Sequence, residues 1–156
     1  MAGTIWIVDD DDNIRDSLGR TLNEFGYSVE AFPSGWEMLA RLEANSPDLF
    51  IVDVRMPEMS GMDLTRAITE RDPRAIVIVL TGYPSIEDAI EAIQIGAADY
   101  LAKPFDKAQL RIRVENLLGM RRLQGRLKRT TTANRTLLES LPVWIVLGML
   151  VARFLW

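Results

Sequence analysis

Two stretches of the chain, Leu49-Phe50-Ile51-Val52 and Ala75-Ile76-Val77-Ile78-Val79-Leu80, are apolar at every position. A strand with one face in water alternates apolar and polar residues, whereas an unbroken run suits a strand buried on both faces. That demand restricts the chain to a sheet covered on both sides. The cover has to come from helices placed between the strands, and the surrounding sequence supplies them.

Thr4–Val8 is β-branched and aromatic and stops at four aspartates. Ile14, Leu18, Leu22 and Phe25 then recur at spacings of four and three, the mark of an amphipathic helix. Gly26 stands where a helix C-terminus favours glycine. Tyr27–Phe32 reads as a second strand, and Ser34 with Glu37 forms a capping box for a helix to about Ala44. Asp48–Asp53 is the third strand, and a turn with Pro57 and Gly61 leads to a helix near Met62–Arg71. Ala75–Leu80, the most apolar strand, is expected at the centre of the sheet. Thr81-Gly82-Tyr83-Pro84 breaks it, and Ser85 with Asp88 caps a helix to about Ile95, which Gly96 stops. Asp99–Ala102 is a fifth strand closed by Pro104, and helical periodicity resumes at Asp106. Five alternations with short connections and right-handed crossovers predict an α/β fold, a doubly wound five-stranded parallel sheet.

In such a sheet, ligands bind outside the carboxyl ends of the strands. Those ends carry Asp9, Asp10, Asp53, Thr81 and Lys103, with no candidate from the second strand. Carboxylates gathered at one edge repel each other unless a cation neutralises them, and a hard divalent ion such as Mg²⁺ suits few carboxylates plus phosphate and water. The ion would keep Asp53 ionised and nucleophilic. A carboxylate can attack phosphorus to form an acyl phosphate. The charge of the transition state would then be shared by Mg²⁺, the Lys103 ammonium and the Thr81 hydroxyl, and Gly82 leaves room beside the threonine. Asp11 and Asp12 read instead as an acidic cap on the first helix. The chain has no cysteine and no histidine. Disulfides, thiolate or histidine metal sites, a histidine base and an internal phosphohistidine are therefore excluded.

Four segments carry a family resemblance: Ile7-Val8-Asp9-Asp10-Asp11; Asp53-Val54-Arg55-Met56-Pro57-Glu58-Met59-Ser60-Gly61; Leu80-Thr81-Gly82-Tyr83; and Gly96-Ala97-Ala98-Asp99-Tyr100-Leu101-Ala102-Lys103-Pro104-Phe105. Over residues 4–118 the chain resembles the receiver domains of bacterial response regulators. The wording is most similar to receivers of the nitrogen-regulation type, which usually precede an ATPase domain and a DNA-binding domain. The resemblance implies a flavodoxin-like strand order 2-1-3-4-5 and a phosphoacceptor at Asp53. It implies that Asp10 binds Mg²⁺ directly and Asp9 largely through water, with the backbone carbonyl of Arg55 as a further ligand. Lys103 would contact the phosphoryl oxygens, Thr81 would move toward the phosphate, and Tyr100 would swing inward in step with it. The Lys103–Pro104 bond would be cis, which proline permits. Arg55 and Tyr83 flank the site and are expected to influence acyl-phosphate lifetime. The implied partner is a histidine kinase or phosphotransfer protein, and the implied role is a signalling switch rather than a metabolic enzyme.

Two other readings compete. A haloacid dehalogenase-type Mg²⁺-dependent phosphohydrolase would use Asp9-Asp10-Asp11 as its acid motif. It needs an acidic pair beyond the lysine, however, and only Asp106, Glu115 and Glu139 follow Lys103. It also leaves Asp53 without a role. The other is a degenerate receiver kept as a binding module.

Charge divides the chain further. Residues 1–106 hold 8 Lys and Arg against 20 Asp and Glu, and residues 107–156 hold 10 against 2. The expected organisation is a receiver over 1–118, a basic helical linker over 119–141 and a short apolar tail over 142–156. A 3–4 repeat drawn from Leu117 to Ile145 includes Gln124, Thr131 and Asn134, a poor seam for a coiled coil. The basic residues suit a solvated linker first, with an anionic contact or a homodimer face as alternatives. No DNA-reading module is recognised. Val143–Trp156 is 14 residues long, short of the roughly 17–25 that span a bilayer. A membrane-interface contact, a cover for an exposed groove and the end of a truncated gene all remain open for it. Met1-Ala2-Gly3-Thr4 has no basic n-region, so a cytoplasmic location is expected.

Overall fold

A computed structural model describes residues 3–139, with side chains through residue 124. Strands β1 (Thr4–Val8), β2 (Ser28–Phe32), β3 (Leu49–Asp53), β4 (Val77–Thr81) and β5 (Asp99–Ala102) alternate with helices. The helices are α1 (Asp12–Glu24), α2 (Gly35–Leu42), α3 (Gly61–Arg71), α4 (Ile86–Gln94) and α5 (Lys107–Glu139). All four strand pairings are parallel, in the order β2-β1-β3-β4-β5. This is the expected order. The middle strand is β3, however; β4, expected there, lies one place toward the edge. Both are fully buried, and hydrophobicity cannot rank two strands that are each covered on both faces.

The pleat sorts alternate residues onto two faces. Ile5 and Ile7, Leu49 and Ile51, and Ile78 and Leu80 face one core with Leu18 and Leu22 of α1 and Leu110, Val114 and Leu118 of α5. Trp6 and Val8, Phe50 and Val52, and Val77 and Val79 face the other with Met38, Leu64, Ile68 and Ala92 from α2, α3 and α4. Burying a side chain of this size contributes about 1.5–3 kcal/mol, so the two unbroken apolar runs hold the layers together. Helix starts follow the local signals: Asp11, Ser34, Ser60 and Ser85 are N-caps whose side-chain oxygens accept backbone amides of the first turn. Gly26 and Gly96 adopt positive φ (91° and 94°) just past α1 and α4, a conformation glycine reaches without steric penalty.

The described residues up to Leu118 form one compact unit. From Gly119 the described chain is helical through Glu139. The apolar tail expected over 142–156 lies outside the described residues, as do the side chains of most of the basic linker. No helix among the described residues is long and apolar enough to cross a membrane.

Candidate functional site

The ends of β1, β3, β4 and β5 lie on one rim of the sheet, and register sets what meets there. Val8 pairs with Val52 and Asp53 with Leu80, so the residues just past β1 and at the end of β3 share a level. Asp9, Asp10 and Asp53 each offer a carboxylate oxygen within 4.8 Å of the others. Asp9 and Asp53 are buried, and Asp10 is exposed.

Lys103, carried past β5 and followed by a cis Lys103–Pro104 bond, reaches across the rim. Its Nζ donates to Asp9 Oδ2 at 2.7 Å and to Asp53 Oδ1 at 2.6 Å. The second oxygen of Asp53 accepts the Arg55 amide at 3.0 Å. Burial pushes the Asp53 carboxyl above its ordinary range, and the negative charge of Asp9 adds to that. The Lys103 hydrogen bond and charge and the Arg55 amide oppose the rise without cancelling it. For Lys103, burial alone would lower the pKa, yet hydrogen bonds and charge from Asp53 and Asp9 outweigh it and the ammonium is held upward. One ammonium thus answers two buried carboxylates, and a third carboxylate stands at the opening. The donors are all hard oxygens, two of them withdrawn from water, which fits a divalent cation such as Mg²⁺.

Thr81 ends β4 with its side chain buried and its hydroxyl accepting the Tyr83 amide at 3.1 Å. Its carbonyl accepts the Lys103 amide at 2.6 Å, which ties the ends of β4 and β5 together. Tyr100 is half-buried against the Trp6 face of the core, and its hydroxyl is buried with no hydrogen-bond partner among the described residues. The site residues named from the strand ends are thus placed on one rim. Asp11 instead caps α1 through the amides of Asn13 and Ile14, and Asp12 pairs with Arg15.

Three supporting contacts go beyond the sequence assignment, which named Gly61 only as a turn residue and Arg55 and Tyr83 only as flanking the site. Arg15 Nη1 donates to the Asp9 carbonyl at 2.6 Å and fixes the loop after β1. Its only signal was a lone arginine in the first turn after the acidic run. A Cβ on Gly61 would stand 1.9 Å from the Asp53 carbonyl oxygen, so glycine is what lets α3 start against the end of β3. The Arg55 guanidinium lies 4.1 Å over the ring of Tyr83, a contact between two loops that no local pattern announces. Between Arg55 and Gly61, Glu58 has φ 67° and the Met59 amide donates to the Pro57 carbonyl at 2.7 Å. This is a γ-turn of the rarer hand, so strain sits in the loop beside the site.

A family profile described as "Response regulator receiver domain" matches residues 5–115. Over 106 residues the chain is 43% identical to the DNA-binding transcriptional regulator NtrC of Salmonella typhimurium, covering 68% of this chain and 23% of that protein. The chain therefore spans about a quarter of this relative's length. Among solved structures, a response regulator receiver domain protein from Clostridium thermocellum matches with a TM-score of 0.74 at 34% identity, covering 80% of this chain and 99% of that one. A structure titled "BeF3 Activated DrrB Receiver Domain" matches with a TM-score of 0.71 at 32% identity, covering 76% and 99%.

Proposed function

This chain belongs to the response regulator receiver domain family, and we propose that it is a phosphoacceptor switch in which Asp53 takes a phosphoryl group from a partner histidine kinase or phosphotransfer protein. An Asp53 carboxylate oxygen forms the new bond to phosphorus as the donor's phosphorus–nitrogen bond breaks. The leaving imidazole keeps the electron pair and collects its proton from solvent. The observation that carries this reading is the Lys103 bridge. A half-buried ammonium joins Asp9 to Asp53 and so stands beside the carboxylate that would become charged further.

Asp9, Asp10, Asp53 and the Arg55 carbonyl would hold Mg²⁺. When bound, the ion offsets the negative charge that gathers on the transferred group. Lys103 keeps one carboxylate oxygen of Asp53 oriented, and the Arg55 amide holds the other. The Thr81 hydroxyl accepts one amide and keeps its own proton free to donate to a phosphoryl oxygen. Tyr100 would follow. Its hydroxyl is already buried with no partner among the described residues, at a cost of about 1–3 kcal/mol, so phosphorylation would act by stabilising this inward position against an outward one. Readout would then fall on the α4 surface, where Ile86, Ile90 and Ile93 are exposed, a local charge change biasing a bistable element.

Incubation with a small acyl-phosphate donor and Mg²⁺, followed by intact mass, tests this. The expected product carries one phosphate per chain, cleaved by hydroxylamine and absent in Asp53→Asn. Label kept in Asp53→Asn but lost in Asp9→Asn would favour the phosphohydrolase reading, which Glu115, tied to Arg111 on the exposed side of α5, does little to support. No label from either the small donor or a cognate kinase would leave only the binding module.

A further inference from the structure

Arg55 and Tyr83 hold matching positions on the two loops that border Asp53. Each stands two residues beyond a site side chain and gives it a backbone amide, Arg55 to Asp53 at 3.0 Å and Tyr83 to Thr81 at 3.1 Å. Their own side chains meet outside the rim, the guanidinium 4.1 Å over the ring. Tyr83 is 66% exposed, and Arg55 is exposed with no carboxylate partner among the described residues. The stack is therefore not imposed by a packed core. It holds Arg55 by weak attraction while an acidic site lies next door.

Charge decides whether that arrangement lasts. Three carboxylates, one ammonium and a divalent cation balance. An acyl phosphate on Asp53 carries more negative charge than the carboxylate it replaces, and the balance becomes negative. A cation over an exposed ring is worth less than a charge-assisted hydrogen bond to an oxyanion.

We propose that the Arg55–Tyr83 stack is a latch across the site, opened when the guanidinium leaves the ring for the phosphoryl oxygens on Asp53. This inference rests on the phosphoacceptor reading above. Opening uncovers Tyr83 at the start of the segment that leads, through Pro84 and Ser85, into α4, so the loss of one contact delivers the event to the exposed isoleucines. The Arg55 guanidinium thus has two alternative partners, the Tyr83 ring and the phosphoryl oxygens.

Titration with beryllium fluoride and Mg²⁺, as a stand-in for the phosphoryl group, tests the latch in a cycle of variants. Tyr83→Ala removes the competing ring and should tighten beryllofluoride binding about two- to fivefold. In an Arg55→Ala background, which leaves the backbone carbonyl in place, the same change should have no effect. Tyr83→Phe keeps the ring and should bind like wild type. Ring-labelled tyrosine adds a readout independent of affinity: the Tyr83 resonance should shift on beryllofluoride addition in wild type, and in Arg55→Ala it should already be shifted beforehand. Equal effects of Tyr83→Ala in both backgrounds, or a Tyr83 resonance that stays put, would overturn the latch while leaving the phosphoacceptor reading intact. Failure of wild type to bind beryllofluoride would remove both.

Discussion

Helices α3 and α4 open on the same local device, a serine N-cap whose hydroxyl accepts the amide of an aspartate three residues on: Ser60 with Asp63, and Ser85 with Asp88. They differ in what they bury. Helix α3 turns Gly61, Met62, Leu64, Thr65 and Ile68 inward, and α4 buries Ala92 alone while exposing Ile86, Ile90 and Ile93. Capping contributes about 1 kcal/mol to either helix. Several buried side chains contribute considerably more. The comparison teaches that a helix start is set locally, whereas attachment to the sheet is set by the buried face. In this molecule the firmly attached helix starts against Asp53, the residue proposed to accept phosphate, and the helix proposed to report on it is the loosely attached one.

The largest effect expected is that of Gly61→Ala. The added methyl would meet backbone, not a flexible side chain, so the start of α3 must shift. Stability should fall by about 3 kcal/mol or more, measured by urea denaturation, with loss of labelling at Asp53. Next, Leu64→Ala should cost about 2–5 kcal/mol, because Leu64 is fully buried. A change under 1 kcal/mol would break the contrast between the helices. On α4, Ile90→Ser should move stability by no more than about 0.5 kcal/mol, since Ile90 is 51% exposed. Native-state hydrogen exchange sharpens the point without mutation, with α4 amides expected to exchange ahead of α3 amides.

The smallest effect concerns pH, in metal-free solution. The folded pKa of Asp53 is raised, chiefly by burial. Its contribution is therefore most favourable while the group is protonated in both states, and it declines as pH rises from the ordinary carboxylate range through the folded value. Asp53→Asn lacks this decline, so its stability relative to wild type should improve from acid toward neutral pH. A constant difference would show that Lys103 cancels the burial entirely.

Much of this was legible from the chain. The strand runs show because burial on both faces leaves no polar alternation, and serine caps and stop glycines show because they act within one turn. Asp9, Asp53, Thr81 and Lys103 were readable because parallel topology sends every strand end to one rim. The loose hold on α4 was not. Its isoleucines recur at helical spacing like a core stripe, and only the assembled sheet reveals that the small face carrying Ala92 turns inward. The Arg55–Tyr83 stack was hidden for a related reason, because two loops 28 positions apart meet only through β3–β4 register.

The Thr69 hydroxyl of α3 donates to the Ile95 carbonyl, at the end of α4, at 2.7 Å. A rod moored at one end has angular freedom there and almost no sliding freedom. An excursion of α4 that keeps this bond and the Arg66–Glu91 ion pair at 3.3 Å is a tilt about the Glu91–Ile95 end, least near Ile93 and greatest near Ile86. Across nine residues the arm is about 13 Å at 1.5 Å per residue, so a tilt of about 10° carries the free end roughly 2 Å.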